Sequence, residues 1–467
     1  MEYKIYNEDC LVQLDQMKEN CIDSIVTDPP YELNFMGKGW DNAGVSFNKE
    51  TWQKCLRVLK PGGYLLAFGG SRTFHRIAVA IEDAGFEIRD TIMWIYGMGF
   101  PKSMDISKQI DKKGGNDYSK QFAKDLKQAR ENRNLTIKYC DDKYCNGSTN
   151  WSWYEGRKDG CRVPDYKTYL EIIKEFPELE KYRELIKEAE REVIGTKKGV
   201  GCFTNDEHYT VGGTKTNDID ITAPSTDLAK QWQGWGTALK PSFEPIVVAR
   251  KPFKGSLVDN VIEWGVGGIN IDECRVDAET NRRMCGTTEK SGETSFILGA
   301  REETYTNKGR FPANTILTYN QVTFDEVCGG FPNTKSGVAS RYFYCAKASK
   351  KDRDEGLDEF KQQRVNDGRK KDIDNAFQRG TTLRHNTHPT VKPTELMQYL
   401  VRLVTPNGGT VLDPFMGSGS TGKAVAYENQ ERNKDYKFIG IELNKEYCEI
   451  AKARINYAGG KNEKESI

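Results

Sequence analysis

The chain has 467 residues, of which 37% are hydrophobic and 11% aromatic, so it is long enough for two or three domains and does not have a disordered composition. The formal net charge is +1, which excludes a polycation, so any surface that binds nucleic acid must be local. Apolar runs are too short to span a bilayer and the first residues do not resemble a signal peptide, so we expect a cytoplasmic protein whose 12 cysteines are free thiols.

The first 100 residues alternate between predicted strands and helices. Residues 72–84 have apolar side chains at spacings of three and four, which is typical of an amphipathic helix. Short apolar strands are predicted at 4–6, 23–27, 64–68 and 86–96. Strands that alternate with helices indicate a parallel, doubly wound α/β sheet. The second of these strands ends in Asp28-Pro29-Pro30-Tyr31.

The middle of the chain has a different character. We predict a helical hairpin at about 165–193, broken near Pro177, and strands near 245–250 and 340–346. We therefore interpret 102–385 as a large inserted region of mixed α/β structure. The domains expected are a first half of the sheet domain at 1–101, the insert at 102–385, a second half at 386–457 and a tail at 458–467.

The alternation of strands and helices returns after residue 393. A helix with Leu396 and Leu400 on one face precedes a strand at 410–412. A later strand at 437–441 ends in Glu442. We infer that the two ends of the chain contribute to one sheet, with the middle inserted between them.

The Asp-Pro-Pro-Tyr turn suits chemistry on an amino group attached to an aromatic ring. Such a nitrogen is a poor nucleophile because its lone pair is delocalised into the ring. The Asp28 carboxylate and the Pro29 carbonyl would both accept hydrogen bonds from it, and Tyr31 offers a flat face for stacking. The two prolines remove backbone donors and stiffen the turn. The alternative is a structural turn in which Asp28 caps a helix.

A glycine-rich turn, Asp413-Pro414-Phe415-Met416-Gly417-Ser418-Gly419-Ser420-Thr421, follows the strand at 410–412. A turn of this kind lets the backbone approach a ligand at the N-terminus of a helix. Glu442, at the end of the next strand, is placed to hold ribose hydroxyls. Gly417, Gly419 and Gly422 also match the dinucleotide-binding spacing, so this turn alone leaves a nicotinamide enzyme open.

The two strings together resemble the amino-directed (N6-adenine or N4-cytosine) DNA methyltransferases, in the beta-type order that places Asp-Pro-Pro-Tyr before the cofactor turn. The chain is also similar to phage and prophage members of that family. The recognisable motifs cover 1–102 and 386–457. The resemblance implies a circularly permuted, Rossmann-like methyltransferase sheet. It also implies S-adenosylmethionine as the cofactor and a target base flipped out of double-stranded DNA.

The resemblance further implies roles for individual residues. The catalytic residues would be Asp28, Pro29, Pro30 and Tyr31. The cofactor-binding residues would be Asp9, Cys10, His388, Lys392, Pro393, Thr394, Asp413, Phe415, Gly417, Gly419, Ser420, Thr421 and Glu442.

In the family that this chain resembles, the inserted region recognises the DNA sequence. Lys and Arg in that region would mostly contact phosphates, which fix the register on DNA without reading its sequence. The candidate DNA contacts are Trp232, Trp235, Arg250, Lys251, Lys347, Lys350, Lys351 and Arg353. The resemblance also allows a homodimer and a cognate restriction nuclease encoded on another chain, and no membrane partner is expected.

Asp at position 28, where cytosine-amine enzymes often have Ser, favours adenine N6 as the target, and cytosine N4 is the nearest alternative. A C5-cytosine enzyme is disfavoured because no Cys follows Pro29 or Pro30. A protein glutamine methyltransferase is disfavoured because it would place its Asn-Pro-Pro-Tyr after the cofactor turn. The alternative from a different class is a catalytically idle DNA-binding protein with the same fold.

A zinc site is the remaining alternative for a group of cysteines in the insert. Their spacing is irregular and contains no CxxC pair, so structural thiols are favoured and no metal is expected. These cysteines are Cys140, Cys145, Cys161 and Cys202.

Overall fold

The computed structural model describes residues 1–33, 44–96, 103–113, 118–145, 150–156, 161–197, 219–276, 309–318, 343–364 and 383–460. The chain divides into two compact units, one of Met1–Gly99 with Ser242–Ile467 and the other of Phe100–Pro241. The chain returns to the first unit at Ser242, within the stretch 102–385 that the sequence analysis interprets as an insert. No helix within the described ranges has the length and apolarity that crossing a membrane requires.

The strands of the described residues are short, and most of them belong to one large sheet. Its order is β1-β13-β12-β2-β3-β7-β4-β8-β9, while β5 pairs with β6 and β10 with β11. The strands are β1 (Tyr3–Tyr6), β2 (Ile22–Thr27), β3 (Leu59–Phe68), β4 (Glu87–Ile95), β5 (Val193–Lys197), β6 (Ile219–Thr222), β7 (Phe243–Arg250), β8 (Thr315–Leu317), β9 (Phe343–Tyr344), β10 (Gln363–Arg364), β11 (Leu383–Arg384), β12 (Thr410–Asp413) and β13 (Lys437–Ile441).

Several of the helices begin at short polar side chains that cap them. Asp9 accepts from the Leu11 amide at the start of the first helix, and Asn444 accepts from the Glu446 amide at the start of the last. The helices are α1 (Cys10–Gln16), α2 (Lys49–Val58), α3 (Phe74–Asp83), α4 (Ile106–Lys112), α5 (Tyr118–Asn132), α6 (Ile137–Tyr144), α7 (Trp151–Tyr154), α8 (Tyr166–Glu175), α9 (Arg183–Glu188), α10 (Asp227–Gln231), α11 (Leu257–Trp264), α12 (Lys350–Asp354), α13 (Thr394–Val404), α14 (Ser420–Arg432) and α15 (Lys445–Ala458).

Both ends of the chain contribute parallel strands to the centre of the sheet. β1, β13, β12, β2 and β3 are parallel neighbours. Val411 pairs with Ser24 and Leu412 with Ile25, so the strand before the glycine turn lies beside the strand before Asp-Pro-Pro-Tyr. This pairing confirms the prediction that the two ends form one sheet.

β7 corrects the expected place of the strand at 245–250. It lies inside the large sheet, antiparallel to β3 on one side and to β4 on the other. Ile246, Val247, Val248 and Ala249 are all buried. A run that is apolar at every position suits a strand covered on both faces, whereas the exposed strand of an insert would alternate.

Helices cover both faces of this sheet. Ile25 and Leu65 pack on one side with Trp52 of α2. Val26 and Leu66 point to the other side and pack with α13. Neighbouring residues of one strand enter different cores because strand side chains alternate between the faces. The layers give the Rossmann-like α/β architecture that the sequence indicates.

The second unit, Phe100–Pro241, is mainly helical, with one two-stranded ribbon. Its core contains Phe122, Trp151 and Phe176. α8 and α9 form the helical pair expected at about 165–193, and a 3-10 turn that begins at Pro177 separates them. Proline lacks the amide that would continue α8.

Asp23 provides a test of how the two ends of the chain hold together. It is buried on β2, where its Oδ1 accepts from Lys60 Nζ (2.6 Å) and its Oδ2 from the Thr410 amide of β12 (2.7 Å). We expect Asp23→Ala to lower the free energy of unfolding by about 1.5–3 kcal/mol, the range for hydrogen bonds to a charged group. Urea denaturation followed by circular dichroism measures this change.

The matched control is Asp15→Ala, since Asp15 pairs with Lys54 at the exposed surface. Exposed pairs contribute little, so this variant should unfold at the wild-type urea concentration. Equal destabilisation by the two substitutions would show that Asp23 does not link the strands.

Candidate active site

Two turns, one from each end of the chain, lie side by side at one edge of the large sheet. β2 ends at Thr27 and continues into the Asp28–Tyr31 turn, while β12 ends at Asp413 and continues into the glycine turn. Because β2 and β12 are parallel neighbours, their carboxyl ends meet. Open parallel sheets bind their ligands at this edge.

The Asp413 carboxylate joins the two turns. Its Oδ1 accepts from the Thr27 hydroxyl (2.7 Å) and the Phe415 amide (3.1 Å), and its Oδ2 accepts from the Thr421 hydroxyl (2.5 Å). Burial raises the pKa of Asp413 to about 6, and the hydrogen bonds from Thr27 and Thr421 limit that rise. Since both oxygens have donors inside the protein, Asp413 positions the junction between the turns.

A cavity of about 820 Å³ opens beside these turns. This volume is within the range of about 300–1,000 Å³ that is usual for small-molecule sites. The cavity is lined by all four expected catalytic residues, Asp28, Pro29, Pro30 and Tyr31, and by most of the expected cofactor residues, Asp9, Cys10, His388, Lys392, Asp413, Phe415, Gly417, Ser420, Thr421 and Glu442.

Asp28 has one occupied and one unoccupied acceptor oxygen. Its Oδ2 accepts from Lys392 Nζ at 2.7 Å. Its Oδ1 is buried, and no donor among the described residues reaches it. Burial raises the pKa of Asp28, and the Lys392 ammonium opposes that rise. Buried acceptors nearly always have a donor, so Asp28 Oδ1 marks where a ligand N–H would be bound.

Lys392 and Glu244 complete the surroundings of this carboxylate. Lys392 Nζ donates to the Tyr31 hydroxyl (3.0 Å), which donates to Glu244 Oε2 (3.1 Å). Glu244 Oε2 also lies 3.4 Å from Lys392 Nζ. Burial by itself would lower the pKa of Lys392, but Asp28 and Glu244 raise it overall, so the ammonium stays protonated.

The sequence does not predict the contacts of either residue. The family resemblance implies that Lys392 binds the cofactor, and no role is expected for Glu244. The one available signal was the position of Glu244 in Lys240-Pro241-Ser242-Phe243-Glu244-Pro245, immediately before an apolar strand.

The other side of the cavity is formed around Glu442, at the end of β13. Glu442 Oε2 accepts from the Gly417 amide (2.9 Å) and Oε1 from the Asn444 amide (2.7 Å). Burial raises the pKa of Glu442, and these amides oppose the rise. Asn7 donates to the Glu442 carbonyl (3.0 Å), which ties the start of the chain to the same corner. The arrangement presents a carboxylate beside the backbone of the glycine turn.

His388 and Cys10 are uncharged walls of the cavity. Burial lowers the pKa of His388 to about 4, so its imidazole is neutral at physiological pH. The ring meets Tyr447 edge to face at a centroid distance of 4.6 Å. Burial raises the pKa of Cys10 to about 12, so the thiol remains protonated. Tyr447, which the sequence reasoning did not select, lies on α15 shortly after Glu442 and also lines the cavity.

Three expected cofactor residues lie outside the cavity lining. Gly419 has φ +77°, and a Cβ there would lie 2.8 Å from the Cβ of Ala451, so glycine is needed for α14 to approach α15. Pro393 precedes α13, and the Thr394 amide donates to Asp352 Oδ2 at 3.0 Å. These residues hold the elements around the cavity in place. Gly417 (φ +53°) does line it, and a Cβ there would lie 2.8 Å from His388 Nε2.

Behind the glycine turn, Asp352 of α12 is the centre of a buried charge cluster. The fully buried Lys423 of α14 donates to Asp352 Oδ1 at 2.8 Å. The fully buried Arg454 of α15 donates to the carbonyls of Ser418 (2.6 Å) and Asp352 (3.1 Å). The cluster therefore connects α12 to the turn that forms the cavity wall.

Several residues that were expected to contact DNA donate hydrogen bonds to other residues of the first unit. Lys251 Nζ donates to the Leu59 carbonyl (2.7 Å) and to Asn20 (2.7 Å). Arg353 donates to the His388 carbonyl at 3.0 Å. Arg250 pairs with Glu87 at 2.7 Å. These contacts are structural and leave fewer donors for phosphate than the sequence pattern suggests.

The other residues expected to contact DNA are more exposed. Lys350 and Lys351 are exposed on α12, and Lys347 Nζ lies 3.5 Å above the Tyr96 ring. In the second unit, the exposed Trp232 and Trp235 meet edge to face at 5.2 Å.

The cysteines of the insert show no metal geometry where the structure describes them. Cys140, Cys145 and Cys161 are buried, and Cys202 lies outside the described residues. Within the described part of the chain, no three His, Cys, Asp or Glu side chains are grouped as a metal site.

Similar proteins include two DNA-modifying enzymes. The type II methyltransferase M.HpaI of Haemophilus parainfluenzae is 33% identical over 120 residues, which cover 24% of this chain and 37% of that protein. The DNA adenine methyltransferase YhdJ of Escherichia coli is 40% identical over 74 residues, 16% of this chain and 23% of that protein. The matched segments thus span less than half the length of either relative.

Two solved structures align along most of the chain at low similarity. The M1.HpyAVI–SAM complex covers 97% of this chain and 99% of its own, with a TM-score of 0.34 and 14% identity. PvuII DNA methyltransferase (cytosine-N4-specific) covers 97% and 86%, with a TM-score of 0.37 and 11% identity.

The profile of the DNA methylase family of N6 and N4 methyltransferases matches residues 22–453. The match includes both turns, the strands that carry them and the chain between them. The chain therefore belongs to the N6/N4 family of DNA methylases.

Proposed function

We propose that this protein transfers a methyl group from S-adenosylmethionine to the exocyclic N6 amine of an adenine flipped out of double-stranded DNA. The observation that carries the proposal is the buried Asp28 Oδ1, an acceptor without a donor among the described residues, in the wall of the cavity that also holds Glu442. An amine is the kind of ligand group that such an acceptor binds.

The cavity has the chemical features that S-adenosylmethionine requires. Glu442 ends a strand beside the glycine turn, where a carboxylate commonly accepts from ribose hydroxyls. Each of its oxygens accepts one amide and has a second lone pair for a hydroxyl. Asp9 and Cys10 line the same wall at the start of α1. When bound, the cofactor supplies an electrophilic methyl group on a sulfonium.

The Asp-Pro-Pro-Tyr turn would prepare the acceptor amine. Asp28 Oδ1 accepts one N–H and the Pro29 carbonyl accepts the other, which draws the nitrogen lone pair out of conjugation. As the N–C bond forms and the C–S bond breaks, the nitrogen becomes positive and the Asp28 carboxylate stabilises it. The amine then loses a proton, which Asp28 is placed to accept. Tyr31 provides a face on which the flipped base stacks.

Adenine is favoured over cytosine by the residue at position 28. An aspartate can both hold the amine and stabilise the positive charge that develops on it, and YhdJ, an adenine methyltransferase, is among the similar proteins. Cytosine N4 methylation is the alternative, and it uses the same cavity and the same turn. Digestion of the modified DNA to nucleosides, followed by mass spectrometry, separates N6-methyladenine from N4-methylcytosine.

We assign contacts to DNA to exposed aromatic side chains of the second unit and, separately, to exposed lysines of the first. Trp232 and Trp235 are exposed aromatic side chains, which suit contacts to bases. Lys350 and Lys351 are exposed cations, which suit contacts to phosphates.

Asp28→Ala tests the catalytic assignment. We expect the rate of methyl transfer to duplex DNA to fall by about 10- to 100-fold or more, since a charge-assisted hydrogen bond contributes about 1.5–3 kcal/mol and each 1.36 kcal/mol is tenfold in rate. The affinity for S-adenosylmethionine should remain near that of wild type, because Glu442 and the glycine turn are unchanged.

The measurement is incorporation of labelled methyl into unmethylated genomic DNA, with cofactor affinity from calorimetry. Asp15→Ala is the control, since Asp15 is an exposed acid away from the cavity. Transfer by Asp28→Ala at the wild-type rate would remove Asp28 from catalysis.

Glu442→Gln tests the cofactor assignment. The amide keeps the size of the side chain but loses the charge, so we expect the Kd for S-adenosylmethionine to rise by about tenfold or more. Glu449→Gln on the outer face of α15, where Glu449 pairs with Lys452, is the matched control and should bind normally. Calorimetry that finds equal affinity for both variants would place the cofactor elsewhere.

A further inference from the structure

We propose that Glu244 is a positioning residue for methyl transfer, which fixes Tyr31 and Lys392 against Asp28 and gives this buried group a net negative charge. The inference rests on the proposed function and extends it to a residue outside the cavity lining. Glu244 comes from β7, the strand that the sequence reasoning placed in the insert.

The geometry around Glu244 forms a closed ring of contacts. Lys392 Nζ donates to the Tyr31 hydroxyl (3.0 Å), the Tyr31 hydroxyl donates to Glu244 Oε2 (3.1 Å), and the same Oε2 lies 3.4 Å from Lys392 Nζ. Each member therefore limits the rotation of the other two. The ring holds the Tyr31 side chain and orients the ammonium that donates to Asp28 Oδ2 (2.7 Å).

The position of Glu244 in the sheet restricts its movement. Glu244 pairs with Trp94 of β4, and from Ile246 onward β7 is also paired with β3 on its other side. The side chains of Lys392 and Glu244 are only 9% and 20% exposed. A carboxylate carried by a central strand moves less than one carried by a loop, so it suits the fixing of a catalytic geometry.

The charges of the cluster explain why a second carboxylate is useful. Lys392 by itself would neutralise Asp28, and a neutral pair stabilises a positive reaction centre poorly. Glu244 lies within reach of the same ammonium and changes the sum of the three charges to −1. Transfer of a methyl from a sulfonium to an amine is positively charged throughout, so an additional buried negative charge favours it.

The groups that face this cluster come from separate segments of the first unit. Lys392, Tyr31 and Glu244 face Asp28, and Asp413 of the neighbouring turn adds a like charge. Burial and the nearby Glu244 carboxylate raise the pKa of Tyr96, and Lys347 Nζ lies 3.5 Å from the centroid of the Tyr96 ring. Glu244 raises the pKa of Asp28 through like-charge repulsion, although burial is the largest cause.

The test uses Glu244→Gln in the full-length protein. We expect kcat for methyl transfer to fall about tenfold, with the KM for S-adenosylmethionine and the melting temperature unchanged. The acid limb of the pH profile of kcat should move to lower pH, because the like charge that raises the pKa of Asp28 is gone. Glu244→Asp, which retains the charge, should retain more activity than Glu244→Gln.

The matched control is Glu87→Gln, since Glu87 lies on the adjacent strand β4 and pairs with Arg250 away from the cavity. It should leave kcat and the pH profile unchanged. A Glu244→Gln variant with the wild-type kcat and pH profile would overturn the proposal. So would a loss of kcat that accompanies a lower melting temperature while the acid limb stays in place, since that pattern indicates a structural role.

A second measurement separates this proposal from the proposed function. Acetylation of Lys392 by acetic anhydride, followed by mass spectrometry across pH, reports the basicity of its amine without any methyl transfer. Loss of the Glu244 charge lowers the pKa of Lys392, so Glu244→Gln should be acetylated at lower pH than wild type. If wild type transfers no methyl to DNA, the proposed function fails, whereas an unchanged acetylation profile overturns the role of Glu244.

Discussion

The hydrogen bonds of Asp413 are the constraint on which the site depends. They join the end of β2 to the glycine turn after β12, through the hydroxyls of Thr27 and Thr421. Neither turn alone contains both the buried Asp28 carboxylate and the glycine backbone that line the cavity. The parallel pairing of β2 with β12 brings the two turns together, and the buried carboxylate fixes their separation. The hydrogen bonds to both of its oxygens offset the unfavourable desolvation of the buried Asp413 carboxylate.

The second organising feature is the buried charge beside Asp28. A single aspartate in an apolar pocket would tend to take up a proton, since burial raises its pKa. Lys392 opposes that rise, and Asp28 and Glu244 together raise the pKa of Lys392. The protonation states of the three groups are therefore coupled. Asp28 Oδ1, which has no donor among the described residues, is where a ligand N–H would complete this arrangement.

The parts that could be predicted from the sequence are those set by local pattern. β2, β12 and β13 are short apolar runs that end in recognisable turns, so their type and the meeting of their carboxyl ends follow from the rules of parallel sheets. The neighbours of β7 could not be predicted, because an apolar run shows that a strand is buried but not which strands flank it. The contact between Lys392 and Asp28 joins residues 364 positions apart, and no periodicity encodes that distance. Charge alone also does not show where a donor is used: Lys251 and Arg353 have the residue types of DNA contacts, and both donate to backbone carbonyls.

The pairing of β1 with β13 has a consequence for how such a chain can be encoded. The first strand of the protein lies beside the last, with Tyr3 opposite Phe438 and Tyr6 opposite Ile441. The two turns thus meet because their strands are neighbours in the sheet. The order of the segments along the chain does not matter for this. Evolution is then free to shuffle the order of these segments, provided that the strands keep their neighbours.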